Sequence, residues 1–501
     1  MARKPVLGID FGTSNTSAAY VDTMGKLRVV PISNVDNAMP TVIWYAARDK
    51  FVIGGGARQK IVDDPINTIT GFKRLVGRPF KSEFVNNARS RAPYKIVEAD
   101  DGMAAVEVHG ETKPIPQLIF LVIQRMLELA NATSGMDFDE CVLSVPAHYG
   151  HRQRAALRTA AEMAGLDVLA LVNEPTAAAL YFAKNSPMSN RALVFDLGGG
   201  TFDATLIQTH GNLVKVLASA GDAFLGGNDF DERIATSLAR RFSSEHGVDL
   251  MQQKVVYQRL LFASEMAKII LSTDETATVR VMFAAEKEGR PLDLEYTLNR
   301  QLLDVLIAPL VEKCLGVCED ILKRTGLKPE DVGEVILVGG QTRTQSLRRR
   351  IYTLFPGDPN RNLTPELSVA TGAALLGSLL DAGGGPPLAD VLSVPIWVMT
   401  PGRPPQQAIA PSTAVPGVGR VVLDGAAAHV PLALLFYEAL EPASTDREIL
   451  GSARVEPDWM LAHNGVVSVE VMVTQSYSLD IAVRAQDGAR LRLELTPPKR
   501  K

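Results

Sequence analysis

Two stretches far apart in the chain share one pattern of apolar and polar positions. Residues 6–16 (VLGIDFGTSNT) and 192–203 (ALVFDLGGGTFD) each run from a buried-type apolar segment into an aspartate, a glycine-rich turn and a threonine. Alternating residues follow, SAAYV after the first and ATLIQ after the second, so each stretch predicts a β-hairpin closed by a tight glycine turn. A further apolar strand, EVILVGG at 334–340, again ends in glycines. Helical spacing lies between these strands. Residues 116–131 open with proline and keep an amphipathic period, while 151–164 are rich in helix formers and stop at Gly165. NEPTAAALYFA at 173–183 places proline in a first turn, and 258–271 and 301–324 are two more helices. Strands and helices recur in blocks twice over, which predicts a two-lobed α/β domain ending near residue 381.

The pattern then changes. GGGPP at 383–387 is followed by the apolar, linker-like LADVLSVPIWV, and the helical period vanishes beyond it. VVSVEVMVT (466–474) alternates as a strand, and LDIAVRAQDGARLRLEL (479–495) reads as two strands around the Asp487-Gly488 turn. The expected division is residues 1–382 as the α/β domain, 383–396 as linker, 397–496 as a small all-β domain and 497–501 as a basic tail.

Composition narrows the function classes. The 501 residues suggest two to four compact units, and 46% hydrophobic against 22% charged residues is an ordinary globular balance. A formal charge of −4 argues against a chain-wide basic field for nucleic acid or anionic lipid. Three cysteines exclude a disulfide scaffold. MARKPVLGIDFG reaches an aspartate too soon for a secretory signal, and no run approaches the roughly 18 apolar residues of a membrane span. These features predict a soluble, cytoplasmic protein.

The candidate chemistry is phosphate binding. Glycine turns let a backbone approach phosphate oxygens and offer N–H donors, a nearby carboxylate can hold a hydrated Mg²⁺, and threonine can reach a terminal phosphate. Two such hairpins could clamp a triphosphate from opposite sides; no GxxxxGK[ST] loop is present, so the P-loop arrangement is not used. Glu265, Lys268 and Ser272 share one side of the 258–271 helix and its end, either as a solvated charged face or as one wall of an adenosine pocket. The GGQTR turn (339–343) would stand opposite, with the planar Arg343 guanidinium able to stack on a base. His148 and His151 lack companions at metal-ligand spacing and read as surface histidines, whereas Cys314 and Cys318 read as core residues.

Together these segments resemble the DnaK-type seventy-kilodalton heat-shock chaperone family, in family order: GIDFGTSNT (8–16), NTITGFKRLVGRPF (67–80), VLSVPAHYGHRQRAAL (142–157), AGLDVLALVNEPTAAAL (164–180), FDLGGGTFD (195–203), LGGNDFDERI (225–234), EMAKIILS (265–272), VGGQTRTQSLRRRI (338–351) and PELSVATGAALLGSLL (365–380). The resemblance implies an actin-like ATPase domain followed by a β-sandwich peptide-binding domain. It implies that Asp10 and Asp196 orient Mg²⁺ through water, and that Thr13 and Thr201 touch the terminal phosphate. Gly12, Ser14, Asn15, Gly198, Gly199 and Gly200 would form the phosphate cradle. Gly226, Gly227, Glu265, Lys268, Ser272, Gly339, Gly340, Arg343 and Glu366 would surround the rest of the nucleotide. Lys73 matches the lysine that positions the attacking water, Glu174 would help orient that water, and Pro146 and Arg154 match a proline switch and an arginine relay to the peptide domain. The implied ligands are ATP or ADP with Mg²⁺, and K⁺ as a further cation; the implied partners are extended apolar peptides and a nucleotide exchange factor.

Several positions depart from that pattern. The chain stops soon after Leu495, where the family continues into a helical lid, which implies a lidless member with fast peptide exchange. Pro395 replaces an acidic linker residue, and Glu366 replaces the usual aspartate. Ala170 stands where a basic residue docks J-domain partners, which weakens the case for such a partner. The expected activity is ATP hydrolysis gating peptide affinity. A sugar kinase of the same superfold and a non-catalytic ATP-sensing scaffold are the rival readings.

Overall fold

The computed structural model describes residues 5–496 apart from 186–190, 211–212, 356–357, 360–363, 382–387, 393, 424–430, 440, 445–446, 464–466, 475–476 and 478. Two lobes are built on one plan. In lobe I, strands β1 (Leu7–Phe11), β2 (Asn15–Val21), β3 (Leu27–Val29), β4 (Glu140–Val145) and β5 (Asp167–Asn173) lie in the order β5-β4-β1-β2-β3. β1, β2 and β3 are antiparallel neighbours, while β4 runs parallel to β1 and β5 parallel to β4. Lobe II repeats this with β6 (Arg191–Leu197), β7 (Phe202–His210) and β8 (Leu213–Asp222) antiparallel, then β9 (Glu334–Val338) and β10 (Asp358–Pro359) running parallel to β6. Both predicted glycine hairpins are therefore present as β1–β2 and β6–β7.

The five predicted helices form as α1 (Ile115–Ser134), α2 (His151–Met163), α3 (Glu174–Asn185), α5 (Lys254–Ile270) and α6 (Arg300–Thr325), and the structure adds α4 (Gly227–His246) and α7 (Ser368–Asp381), which the spacing did not single out. On α1, Leu118, Ile119, Val122, Ile123 and Met126 recur every three or four residues and are all buried. Gly135, at φ 70°, ends that helix in the left-handed conformation that costs a glycine least. Between the sheets α3 crosses α7, and small residues set the closeness of the crossing. Ala177 faces Gly372, where an added Cβ would overlap the Ala177 carbonyl.

The C-terminal domain is a sandwich. One sheet holds β12 (Ile396–Met399), β13 (Gln406–Ile409), β16 (Leu432–Glu438) and β17 (Glu448–Val455), preceded in the chain by β11 (Leu388–Val391). The other holds β15 (Gly417–Leu423), β18 (Val467–Val473), β19 (Leu479–Ala485) and β20 (Arg490–Leu493). Phe436, Val455, Val467, Val469 and Val483 are fully buried between them. One short helix, α8 (Pro457–Ala462), interrupts the all-β pattern, because Pro457 occupies the first helical positions and Met460 is drawn into the core.

The stretch that reads as a linker is folded onto lobe II. β11 runs parallel to β8 through Val214–Leu388 and Lys215–Ala389 pairing, and its other edge pairs with β14 (Ala414–Val415). The glycine-proline run 383–387 and the basic tail 497–501 lie outside the described residues. Among the described residues, no helix is long and apolar enough to cross a membrane.

Candidate active site

The turns of β1–β2 and β6–β7 meet across the cleft between the lobes. Thr13 and Ser14 face Gly199 and Gly200 so closely that a Cβ on Gly200 would lie 2.5 Å from Thr13 Oγ1, and one on Gly199 would overlap the Ser14 hydroxyl. Only residues without side chains permit that approach while leaving their N–H groups open to a ligand. Thr41 braces the first turn, its hydroxyl donating to the Gly12 carbonyl at 2.9 Å and its N–H to the Ser14 carbonyl at 2.8 Å. In the second turn, Gly198 N–H donates to Thr201 O at 3.1 Å, and Gly227 and Asn228 N–H donate to Gly198 and Gly199 O at 2.9 Å each. The start of α4, including Gly226, thereby joins the cradle.

Beneath the turns lies a buried cluster of charge. Lys73, 2% exposed on a short 3₁₀ turn, donates to Glu174 Oε1 at 2.7 Å. Tyr149 Oη donates to the Lys73 carbonyl at 3.1 Å, and Ser144 Oγ donates to Asp10 Oδ1 at 2.8 Å. Asp196 and Asp203 are direct cross-strand neighbours in β6 and β7, both buried. Burial works against the charge on Lys73, but Glu174, Tyr149 and Asp10 outweigh it and raise its pKa, keeping the ammonium protonated. Burial pushes Glu174 up to about 7 against the pull of Lys73, with Asp10 and Asp203 adding to the rise. Burial likewise raises Asp10, and raises Asp196 further with the help of Glu174 and Asp203. Three of these carboxylates, Asp10, Glu174 and Asp196, thus share one lysine. A hard, oxygen-rich donor set with excess negative charge fits a divalent cation such as Mg²⁺. Among the described residues no three His, Cys, Asp or Glu side chains converge as direct ligands, so such an ion would be held here through its water shell.

Of the remaining predicted residues Glu265 lines the same cleft, and the others stand in different states. The cleft encloses about 900 Å³, lined by Thr13, Ser14, Arg58, Arg74, Asp231 and Glu265 among others. Lys268 donates to the Gly227 carbonyl and pairs with Asp231, both at 2.9 Å. Glu265 is held from the opposite lobe by Arg58 at 2.9 Å. α5 ends at Ile270, so Ser272 lies in the turn beyond it, where its hydroxyl donates to the Ile269 carbonyl and its own carbonyl accepts from Gln345 Nε2 at 3.0 Å. That bond ties Ser272 to the segment that follows the Gly339–Gly340 turn. Arg343 is gripped by both oxygens of Glu366, at 2.5 and 2.9 Å, which fixes the guanidinium plane.

Pro146 ends β4, and Arg154 stands fully within the structure behind it. Arg154 donates to the Tyr149 carbonyl at 2.9 Å and to Asn173 Oδ1 at 2.6 Å, and its guanidinium lies 4.0 Å from the centre of the Tyr477 ring. Asn173, the neighbour of Glu174, donates in turn to Asp390 at 2.8 Å. Side-chain contacts therefore run from Asn173, joined to Glu174 by a peptide bond, to β11 and, through Arg154 and Tyr477, to the C-terminal domain.

One correction concerns the histidines. His148 is not a surface residue: its Nδ1 contacts Asp203 at 3.1 Å and its Nε2 is buried. Only His151 is exposed. Cys314 and Cys318 are buried, as their spacing predicts.

Sequence reading missed four contributors. Asp203 was visible as the second aspartate of FDLGGGTFD, cross-strand from the first. Ser144, Tyr149 and Arg74 carried no separate signal. Arg74 reaches across the cleft to the Gly200 carbonyl at 2.9 and 3.1 Å and to Asp229 at 2.5 Å.

A family model described as Hsp70 protein matches residues 6–436, which takes in both lobes, β11 and the first part of the sandwich. The duplicated lobes, the paired glycine turns and that match agree. The chain belongs to the Hsp70 family, the ATP-dependent chaperones with an actin-like ATPase domain and a β-sandwich substrate-binding domain.

Proposed function

We propose that this chain hydrolyses ATP to ADP and phosphate in the cleft, and that the nucleotide state sets the affinity of the β-sandwich for extended apolar peptides. The glycine turns would bind the phosphates through their N–H groups, with Thr13 and Thr201 directed at the terminal one. Bound with Asp10 and Asp196 through its waters, Mg²⁺ supplies neutralisation of the phosphate charge. Lys73, kept protonated by its acidic neighbours, offsets charge on the terminal phosphate. Glu174 orients the attacking water beside it. Phosphoryl transfer needs mainly such positioning and charge stabilisation, so this set of groups suffices chemically. Gly227, Lys268, Ser272, Arg343 and Glu366 would form the walls for the nucleoside.

The observation that carries the reading is that Glu174, paired with Lys73, adjoins Asn173 in the chain, and Asn173 contacts Arg154, Asp390 and Tyr477. It supports coupling because the residue next to Glu174 bonds the strand that enters the β-domain. The test is peptide binding by fluorescence anisotropy on a panel of extended apolar peptides, with ATP and with ADP. Peptide affinity that differs between the nucleotides by fivefold or more is expected. Binding that ignores nucleotide, or is absent, removes the chaperone reading while leaving the ATPase to be measured separately.

A further inference from the structure

Helix α2 begins without a side-chain cap from its first flanking residue; its own Gln153 Oε1 accepts only from the Gly150 N–H, at 3.0 Å. Its N-cap residue is Gly150, extended at φ −77° and ψ −179°, and no acidic residue lies in the first turn. The N–H groups of His151 and Arg152 would be orphan donors at such a terminus. Instead, both are satisfied from the other domain: Glu438 Oε2 accepts from His151 N–H at 2.9 Å, and Glu448 Oε1 accepts from Arg152 N–H. The two glutamates are direct cross-strand partners on β16 and β17, so their carboxylates arrive side by side. A Cβ at Gly150 would come within 2.5 Å of Glu438 Oε2 and 2.7 Å of Glu448 Oε2. The absence of a side chain at that position is what admits both carboxylates to the helix end.

We propose that Glu438 and Glu448 form a proton-dependent latch, capping α2 from the β-domain when one proton is shared between them and releasing the β-domain when that proton is lost. The helix terminus and its two N–H donors favour one negative charge there. A second charge in contact with the first, away from water, is opposed by both burial and the first charge, and the neighbouring cations offset this only in part. Arg154, which acts on Glu438, is already stacked on Tyr477 and bonded to Asn173, which holds Asp390. The other ionisable groups facing the pair are His151 and Arg152 on α2 and Tyr149 just before it; Arg152, and after it His151, act on Glu448.

Burial raises Glu438, and burial followed by the charge of Glu438 raises Glu448 to about 7. In water, away from α2, a glutamate titrates near its ordinary value of about 4.3. The docked form therefore holds a proton that the undocked form gives up. A group whose pKa is raised in one state favours that state below the raised value, and the preference is lost as pH climbs through it. Docking is expected to weaken by nearly tenfold for each pH unit between roughly 5 and 6.5, one proton being released, and to level off above roughly 7. Hydrolysis plays no part in this latch, so its failure would leave the proposed ATPase untouched.

The experiment uses the full chain with a donor and an acceptor dye on Met24→Cys and Leu461→Cys, both exposed sites, the native cysteines being buried. Energy transfer at one fixed nucleotide concentration reports docking from pH 6 to pH 8.5. The expected result is high transfer at pH 6 and a docking constant about tenfold lower at pH 8 than at pH 6, most of the fall coming below pH 7. Glu448→Gln keeps a carbonyl oxygen for the Arg152 N–H and should flatten that slope; Glu438→Gln serves the same purpose should the first variant fail to fold. Gly150→Ala should lower transfer at every pH. A parent docking constant that is equal at pH 6 and pH 8, or an undiminished slope in the folded glutamine variant, overturns the latch.

Discussion

The floor of the cleft and the seam between the domains solve one problem in opposite ways. Each takes carboxylates out of water and sets them against one another. On the floor, Asp10, Glu174 and Asp196 are carried by strands and helix ends of the two lobes and share Lys73. At the seam, Glu438 and Glu448 meet backbone N–H groups of a helix they do not belong to. Unpaired charge held by a continuous framework cannot escape, so it becomes a place for an added cation. Unpaired charge held against a detachable surface can escape by detaching, so it becomes a switch. The same residue type, at similar burial, is a binding site in one setting and a latch in the other.

The largest effect should come from emptying the floor of its one cation. Lys73→Ala removes the charge that faces the terminal phosphate, and turnover should fall by roughly 10²–10³, the usual cost of losing one preorganised electrostatic group. ATP affinity should change far less. Single-turnover hydrolysis and calorimetric ATP binding on the same preparation separate the two. Turnover at the parent rate would falsify the assignment of Lys73. The variant also strands Glu174, and breaking a buried pair by removing one partner costs about 3–5 kcal/mol, so its thermal midpoint should drop as well.

Asp231 sharpens the comparison because it is a buried acid with a cation to itself, Lys268 at 2.9 Å. Burial still lifts it to about 6, with Lys268 pulling the other way. The folded chain thus binds this proton more tightly than the unfolded one. Its contribution to stability is complete below the ordinary aspartate value near 3.9 and is lost as pH rises through about 6, an effect of order 1–3 kcal/mol. Urea unfolding at pH 4.5 and 6.5 should show that slope, and Asp231→Asn should reduce it. An unaltered slope would place the titration elsewhere.

The difference between floor and seam also explains what could be read in advance. The hairpins, their glycines and Lys73 lie in contiguous motifs, where apolar strand, aspartate and turn follow one another, so local pattern and family resemblance both reach them. Asp203 was within reach, seven residues past Asp196 in the same hairpin, but only the antiparallel register sets the two side by side. His148 was misjudged because a histidine before a helix is usually exposed, and only the fold brings β7 against it. Glu438 and His151 are 287 positions apart, and nothing local marks either. The linker was legible as a change in composition, yet its pairing with β8 depends on a free sheet edge that no segment reveals by itself.

Arg154 tests whether floor and seam communicate. Arg154→Lys keeps the charge but loses the planar fork that spans Tyr149 O and Asn173, together with the stacking on Tyr477. The nucleotide-dependent difference in peptide affinity should shrink by about 1–2 kcal/mol, within the ordinary range of coupling energies. Anisotropy titrations with ATP and with ADP read that difference directly, and an unchanged ratio would mean that coupling bypasses this residue.

The smallest effect belongs to the mouth of the cleft, where Arg58 meets Glu265 at 2.9 Å with both side chains about a quarter exposed, 24% and 29%. Unlike the floor, this pair is matched one to one and partly hydrated, so water screens it and replaces it cheaply. Such pairs contribute from nothing to about 1 kcal/mol. Arg58→Ala should therefore speed release of ADP by no more than about fivefold in stopped flow, and the gain should shrink with added salt because an exposed pair is screened over the Debye length. An acceleration of a hundredfold, or one indifferent to salt, would show that the mouth is held by buried charge as the floor is, and the contrast between the two regions would fail there.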